Sequence, residues 1–264
     1  MKTTEWLEHY EKIVKTLGID PEKDIQSARL LSQIISGRSA TRKELAAVLR
    51  KKAFAVVFGA APSLEDDLDM FLRFFEPGDA SVVAVDGAVK AFQELGVRPD
   101  VVVTDLDGGE EALLKASLQD VFLVVHAHGD NADKIIQLVP RLRGKILGTT
   151  QTEPVGVLEN FGGFTDGDRA VFMCEEIGVG TIVVAGMDFE GEIGKHSKPR
   201  PLSAEETARK KIKLQIGKTL LETLASKTYA VLYDASGNPS KIKGFRKVSW
   251  KQLKKELGQD FTQA

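Results

Sequence analysis

The sequence predicts an α/β fold in which a mostly parallel sheet is flanked by helices, with a small N-terminal helical region. Three observations carry this. From Ala53 onward, short valine-rich runs that are apolar on both faces alternate with helical segments. Glycine and polar residues recur directly after those runs, where a parallel sheet places its ligands. Before Ala53 only the helical repeat is present.

In the first fifty residues, Trp6, Tyr10, Ile13 and Leu17, then Ala28, Leu31, Ile34 and Ile35, follow the helical spacing, interrupted at Gly18-Ile19-Asp20-Pro21. Asp20-Pro21 offers an N-cap followed by a proline at the first helical position, and Ser39 or Thr41 can start a third helix through Leu49. We therefore divide the chain into a helical region over 1–50, an α/β catalytic domain over 51–240 and a C-terminal extension over 241–264. In the extension a loop precedes a short amphipathic helix at the surface.

The α/β part reads as strand Phe54–Phe58 and helix Leu64–Phe75, then strand Ser81–Val85 and helix Ala88–Leu95. Strand Val101–Thr104 with helix Glu110–Ser117, and strand Val121–Val125 with helix Asp130–Leu138, continue the alternation. Strand Lys145–Gly148, helix Asp166–Ile177, strand Thr181–Ala185, a long helix Ala204–Ser226 and strand Tyr229–Tyr233 complete it.

Composition excludes several classes. The 264 residues suffice for a full core, and 36 basic against 38 acidic side chains leave a formal charge of -2. Such a balance supplies no field that would draw the chain to nucleic acid or an anionic membrane. The single cysteine, Cys174, has no internal disulfide partner and reads as a small buried hydrophobe in a reducing compartment. The polar start Met1 to Tyr10 contains no apolar leader, and no long apolar run follows, so a cytoplasmic location without membrane attachment is expected.

Chemistry concentrates at the strand ends. Asp105 and Asp107 leave a buried strand two residues apart, where nearly extended backbone lets both face one ion. Such hard oxygen ligands suit magnesium shared with substrate phosphates. The plainer alternative is a turn and N-cap before Glu110, which Asp86 at the neighbouring strand end makes less attractive. Gly59-Ala60-Ala61-Pro62-Ser63-Leu64 can aim backbone N–H groups at an anion, with Ser63 capping the next helix or bonding a phosphate oxygen. It lacks the lysine and glycine spacing of a P-loop. A plain strand-to-helix turn reads equally well.

His126, His128 and Asp130 have the look of metal-ligand spacing, yet nothing completes a zinc set, and hydrogen bonding or phosphate contact is the better reading. The segment Gly162 to Arg169 joins a glycine loop to a helix N-cap at Thr165 or Asp166. Asp166 and Asp168 there can read a heterocycle while Arg169 meets phosphate; a capped helix with solvated charges is the bland version. Asp188 is a further strand-end carboxylate. The glycine-hinged loop after it carries Lys195, His196, Lys198 and Arg200, of which Lys195 is the favoured contact for a transferring group. Arg209, Lys210, Lys211 and Lys213 extend that cationic wall or form a solvated helix face.

As an ordered set spanning about residues 53 to 233, these motifs resemble the archaeal 6-hydroxymethyl-7,8-dihydropterin diphosphokinase family, whose domain is related to thiamine pyrophosphokinase. The residues that carry the resemblance are the Gly59–Leu64 loop, Val85-Asp86-Gly87-Ala88, and Gly96–Asp100 through Thr104-Asp105-Leu106-Asp107. The later part comprises His126-Ala127-His128-Gly129-Asp130-Asn131, Gly163 to Arg169, and Gly186-Met187-Asp188-Phe189. Ala61 departs from the family pattern, which has its second glycine there.

The resemblance implies a thiamine pyrophosphokinase-like catalytic domain and transfer of diphosphate from ATP to the hydroxymethyl oxygen of the dihydropterin, releasing AMP. It implies Mg2+ on Asp105 and Asp107 with Asp86 in support. Gly59, Pro62, Ser63, Gly87, His126, His128, Asp130, Asn131, Thr165, Asp166, Asp168, Arg169 and Asp188 become substrate contacts, and Lys195 a catalytic one. ATP and a pterin alcohol are then the partners, and self-association into a homo-oligomer is left open. A thiamine pyrophosphokinase, a glycosyltransferase-related enzyme using a nucleotide sugar, and a non-catalytic nucleotide-binding module are the rival readings.

Overall fold

A computed structural model describes residues 3–191, 194–197 and 202–260. Three helices come first: α1 (Thr3–Leu17), α2 (Pro21–Ile35) and α3 (Arg42–Leu49). Asp20 caps α2 by accepting from Glu22 N, with Pro21 at the first position, and Thr41 and Glu44 form a reciprocal capping box on α3. The alternation that follows is β1 (Phe54–Phe58), α4 (Leu64–Phe74), β2 (Ala80–Val85), α5 (Ala88–Glu94), β3 (Val101–Thr104), α6 (Glu110–Leu118), β4 (Phe122–Ala127) and α7 (Ala132–Leu138). After β5 (Ile146–Thr150) come α8 (Asp166–Glu176), β6 (Thr181–Ala185), α9 (Ala204–Ala225), β7 (Val231–Asp234), β8 (Arg246–Lys247) and α10 (Trp250–Asp260).

All strand pairings among the described residues are parallel, in the order β5-β4-β3-β2-β1-β6-β7-β8. The expected α/β architecture is thus present, with every strand running the same way. Each central strand is buried on both faces: Phe54, Val56 and Phe58 face one core, Ala55 and Val57 the other. The first core is closed by α2, α4, α5, α6, α7 and α10, the second by α1, α3, α8 and α9. The chain builds outward from β1 to β5, then crosses to β6 on the other flank of β1. Connections leave in opposite senses there, which opens a crevice beyond the carboxyl ends of β1 and β6.

Strand and helix limits differ from the sequence reading by a few residues, for identifiable reasons. Helix α7 starts at Ala132 instead of Asp130, because Asn131 is occupied in the loop: its Oδ1 accepts from His128 N at 3.0 Å. Strand β7 starts at Val231, since Tyr229 is fully exposed.

The C-terminal helix is amphipathic as expected but is not a surface appendage. Trp250, Leu253 and Leu257 enter the first core, where Trp250 stacks on Phe58 at 6.1 Å and meets Phe71 edge-on at 5.5 Å. The preceding chain adds β8 to the sheet, which the loop reading missed. The N-terminal helices likewise share the two cores with the sheet. Burial pushes the Cys174 thiol up to about 12, so it is chemically quiet, as a small core residue should be.

Truncating Trp250 to alanine therefore removes a buried aromatic from the main core, and a loss of about 3–5 kcal/mol is expected. Urea denaturation of Trp250→Ala checks this; a loss under about 1 kcal/mol would place α10 outside the cooperative core.

Candidate active site

The carboxyl edge of the sheet gathers three carboxylates. Asp86 follows β2, while Asp105 and Asp107 follow β3, and one oxygen from each lies within 4.8 Å of the others. Two non-glycine residues take left-handed backbone to achieve this, Asp86 at φ +47° and Leu106 at φ +74°. Thr104 holds both: its hydroxyl donates to Asp86 Oδ1 at 2.8 Å and accepts from Leu106 N at 2.9 Å. Gly108 lets the two loops meet, since a Cβ there would stand 2.5 Å from Gly87 N and 2.8 Å from Asp86 Oδ1. Burial, followed by the charges of Asp105, Asp107 and Asp166, holds the Asp86 carboxyl well above the ordinary range. A cluster of converging hard oxygen donors is chemically suited to a divalent cation.

Beside it, Asn131 organises the β4 end. Its Nδ2 donates to Asp105 O at 2.9 Å and His126 O at 2.8 Å. His128 accepts from Asp130 N at Nδ1, so its proton sits on Nε2, 3.3 Å from Asp105 Oδ2. His126 is buried, and its Nδ1 bonds Thr149 Oγ1 at 3.0 Å. Among the described residues the two histidines belong to neither group of converging ligand atoms, which are the aspartate trio and Glu65, Glu94 and His196. Nothing in the geometry favours zinc between them.

The Gly163–Arg169 turn departs from its expected role. Arg169 is buried, and its terminal nitrogens donate to Gly163 O at 3.0 Å and Phe164 O at 2.8 Å, so it offers no open fork to phosphate. Gly162 and Gly163, both at φ +81°, wrap those carbonyls around it. Asp168 is also inward: it accepts from Phe164 N at 2.6 Å and Thr165 N at 2.9 Å, as well as from the Thr165 hydroxyl. It holds the turn and does not line the cleft, whereas Thr165 and Asp166 do.

The first loop is similarly committed. Gly59 N donates to Ala185 O at 2.9 Å and Ala61 N to Gly186 O at 2.8 Å, so neither points at an anion. Gly59 and Gly186 are required by contact, each Cβ falling 2.6 Å from the other's carbonyl oxygen. Gly59 borders the cleft; Pro62 and Ser63 do not, and Ser63 donates to the buried Asp67 at 2.9 Å. Gly87 instead seats the segment 194–197, where a Cβ would meet His196 O at 1.7 Å. Lys195 is turned out and pairs with Glu65 at 2.6 Å, which also takes His196 Nε2 at 2.9 Å. Asp188 reaches the cleft while accepting from Glu190 N and Gly191 N, each at 3.0 Å. Lys198 and Arg200 lie outside the described residues.

This strand-end geometry can be set beside known proteins. Residues 29–193 match the family model described as 6-hydroxymethylpterin diphosphokinase MptE-like. The chain belongs to this family. Three relatives of this 6-hydroxymethylpterin diphosphokinase family bear the name 6-hydroxymethyl-7,8-dihydropterin pyrophosphokinase. The chain is 44% identical to that of Pyrococcus furiosus, over 89% of this chain and 100% of the relative. It is 40% identical to that of Methanothermobacter thermautotrophicus, over 85% and 95%, and 34% identical to that of Methanocaldococcus jannaschii, over 86% and 97%. Among solved structures, the MAf glycosyltransferase from Magnetospirillum magneticum superposes with a TM-score of 0.53 at 15% identity, covering 93% of this chain and 42% of that longer one. That likeness concerns the fold alone.

In this diphosphokinase-family chain the cleft encloses about 790 Å3 and draws on segments that sequence reasoning left without a role. Gly18, Ile19, Asp20, Lys23 and Asp24, from the α1–α2 turn and the start of α2, form one wall, with Lys134 and Gln151 nearby. Asp24 is buried and accepts from Tyr10 Oη at 2.5 Å, Gly129 N at 2.6 Å and Gln151 Nε2 at 2.7 Å. It thereby ties the helical region to the ends of β4 and β5. The opposite wall comes from α9, whose Arg209, Lys210 and Lys213 border the cleft, with Lys210 donating to Ser197 Oγ at 2.5 Å. The wall reading of this run therefore holds for Arg209, Lys210 and Lys213, whereas Lys211 is exposed and does not line the cleft. No local signal singles out Asp24.

The raised Asp86 value makes a linkage prediction. A carboxyl that binds its proton more tightly when folded favours folding most below the ordinary value of 3.8, and loses that advantage as pH rises through its raised folded-state value. Metal-free protein should lose stability over that window, and Asp86→Asn should flatten the slope. Denaturant melts in a chelator across a pH series measure it; an unchanged slope in Asp86→Asn would sink the assignment.

Proposed function

We propose that this chain transfers diphosphate from ATP to the hydroxymethyl oxygen of 6-hydroxymethyl-7,8-dihydropterin, yielding the pterin diphosphate and AMP, with Asp86, Asp105 and Asp107 holding Mg2+. The chain's relatives carry the name of this activity along nearly their whole length. The observation that carries the mechanism is the convergence of three carboxylates on one cleft faced by a wall of cations. Bound there, Mg2+ supplies neutralisation and orientation of the polyphosphate oxygens. The acceptor oxygen forms a bond to the β-phosphorus, the bridging oxygen departs with AMP, and the alcohol proton is released.

Positioning and charge neutralisation supply most of the acceleration in such a displacement. His128 keeps Asp105 aimed through its Nε2 proton, and Asn131 fixes the backbone of the same loop. Lys210 and Lys213 border one side of the cleft and Lys23 and Lys134 the other; in this reading they neutralise the charge that accumulates on the phosphate oxygens. The paired Lys195 acts at the rim. A reducing cytoplasm suits the lone buried thiol, and no helix of the described residues is long and apolar enough to cross a membrane.

Incubation with ATP, Mg2+ and the dihydropterin should release AMP in step with pterin diphosphate. AMP release that requires thiamine, or none with any alcohol, would overturn the reading. Asp105→Asn and Asp107→Asn should each lower kcat by roughly a hundredfold or more while the melting temperature stays within a few degrees. Loss of folding in either would return the pair to a capping role.

The cationic wall gives a separate expectation. Lys210→Ala and Lys213→Ala should each lower kcat/KM by about ten- to a hundredfold, with a smaller effect for Lys195→Ala. Steady-state kinetics with ATP varied will test this, and the reverse order would make the 194–197 segment the principal clamp.

A further inference from the structure

Two buried nitrogens on the cleft wall have no hydrogen-bond partner among the described residues: His126 Nε2, at the end of β4, and Arg169 Nε, in the first turn of α8. Both side chains are almost wholly buried, at 1% and 3% exposure. Buried polar groups in folded proteins are nearly always bonded, so two orphans beside one cleft call for a shared explanation.

The rest of each side chain is spent, which fixes what the free atoms offer. The Arg169 terminal nitrogens hold Gly163 O and Phe164 O, and Asp166 Oδ1 lies 3.9 Å from Nε, beyond hydrogen-bond reach. Its Nε–H is an uncommitted donor. The Thr149 hydroxyl is directed at Val125 O at 3.4 Å, so it accepts from His126 Nδ1–H and leaves Nε2 a bare acceptor. The Gln151 carboxamide lies beside the ring, but its Nε2 is taken by Asp24 and no bond of normal geometry reaches His126 Nε2. Desolvation, with Arg169 and His128 nearby, holds His126 well below its ordinary range, so the ring stays neutral.

We propose that His126 and Arg169 form the floor of the acceptor-ring subsite, where an acceptor at His126 Nε2 and a donor at Arg169 Nε read the lactam edge of a 2-amino-4-oxopteridine. This rests on the diphosphate-transfer reading above and extends it to the choice of acceptor. A lactam presents one N–H and one carbonyl oxygen, the complement of that pair. The aminopyrimidine of thiamine reverses that order. Held in the lactam's orientation, its ring nitrogen would face the acceptor at His126 Nε2 and its amino group the donor at Arg169 Nε, a mismatch at both atoms and a basis for rejection in a buried site. The location suits the chemistry: the His126 and His128 rings lie 6.1 Å apart at 24°, and His128 touches Asp105. A heterocycle on this floor carries its hydroxymethyl arm toward the metal edge. Arg169 and His126 are thus assigned to specificity and not to phosphate binding.

The test compares binding of 6-hydroxymethylpterin and its 2,4-diamino analogue, which lacks the lactam, by pteridine fluorescence in the wild-type chain and in His126→Leu. Wild type should prefer the lactam compound by roughly tenfold or more, and His126→Leu should bind the two within about threefold. The free variant should melt within a few degrees of wild type, because losing the His126 Nδ1–Thr149 bond is offset by removing an unpaired buried Nε2. Equal binding of both compounds by wild type, or full discrimination retained in His126→Leu, overturns the inference. Equal wild-type binding overturns the inference even if His126→Leu fails to fold, and His126→Gln, which keeps a side-chain amide at the site, then serves as the second variant with the same expected loss of discrimination. AMP release without discrimination defeats this inference alone, whereas discrimination without AMP release defeats the reaction and leaves the subsite standing.

Discussion

Mutual repulsion among carboxylates is the constraint around which this fold is arranged. Asp86, Asp105 and Asp107 converge within 4.8 Å at the end of a buried sheet, with Asp166 close enough to add its charge. Left alone, such a group would spread apart or take up protons. Here the backbone prevents the first response: two left-handed non-glycine residues, the Thr104 clasp and the contact at Gly108 fix the loops against each other. The second response is visible in Asp86, whose carboxyl is held high by burial and by its neighbours. A site in this condition is poised for a cation, since binding one relieves both effects.

A buried guanidinium works in the same direction. Arg169 is desolvated by burial, yet feels the charges of Asp166, Asp168, Asp105 and Asp24 around it. Because its terminal nitrogens are anchored on main-chain carbonyls, that positive charge stays in place when substrates come and go. The cost of burying it is offset by several acidic neighbours, an arrangement more concerned with placing charge than with stability.

Parts remote in sequence complete the cleft. Asp24 joins Tyr10, Gly129 and Gln151, so α1, α2 and the ends of β4 and β5 behave as one unit. At the other side Arg209 donates to Leu17 O at 2.9 Å, which brings α9 over the α1–α2 turn and sets its cations above the acidic edge. The N-terminal helices are therefore walls of the site, and α10 is a support for the core beneath it.

Local pattern was sufficient for much of this protein. Valine runs buried on both faces define strands wherever they occur, because a parallel sheet covered by helices has no wet face, and strand-end aspartates fall at the ligand edge by topology. The α/β class, Asp86, Asp105 and Asp107 together, and a cap at Ser39 or Thr41 followed from such rules, the fold selecting Thr41. Tertiary structure alone decided which polar groups were already spent. Arg169, Asp168, Ser63 and Lys195 look available in sequence, but each is committed to a partner that the fold supplies. Conversely, Asp24 carries no local mark, and for Lys210 and Lys213 the choice between cationic wall and solvated face is made by contacts between elements far apart along the chain. A strand's burial is set by its own residues, whereas a side chain's availability depends on which distant donors and acceptors reach it first.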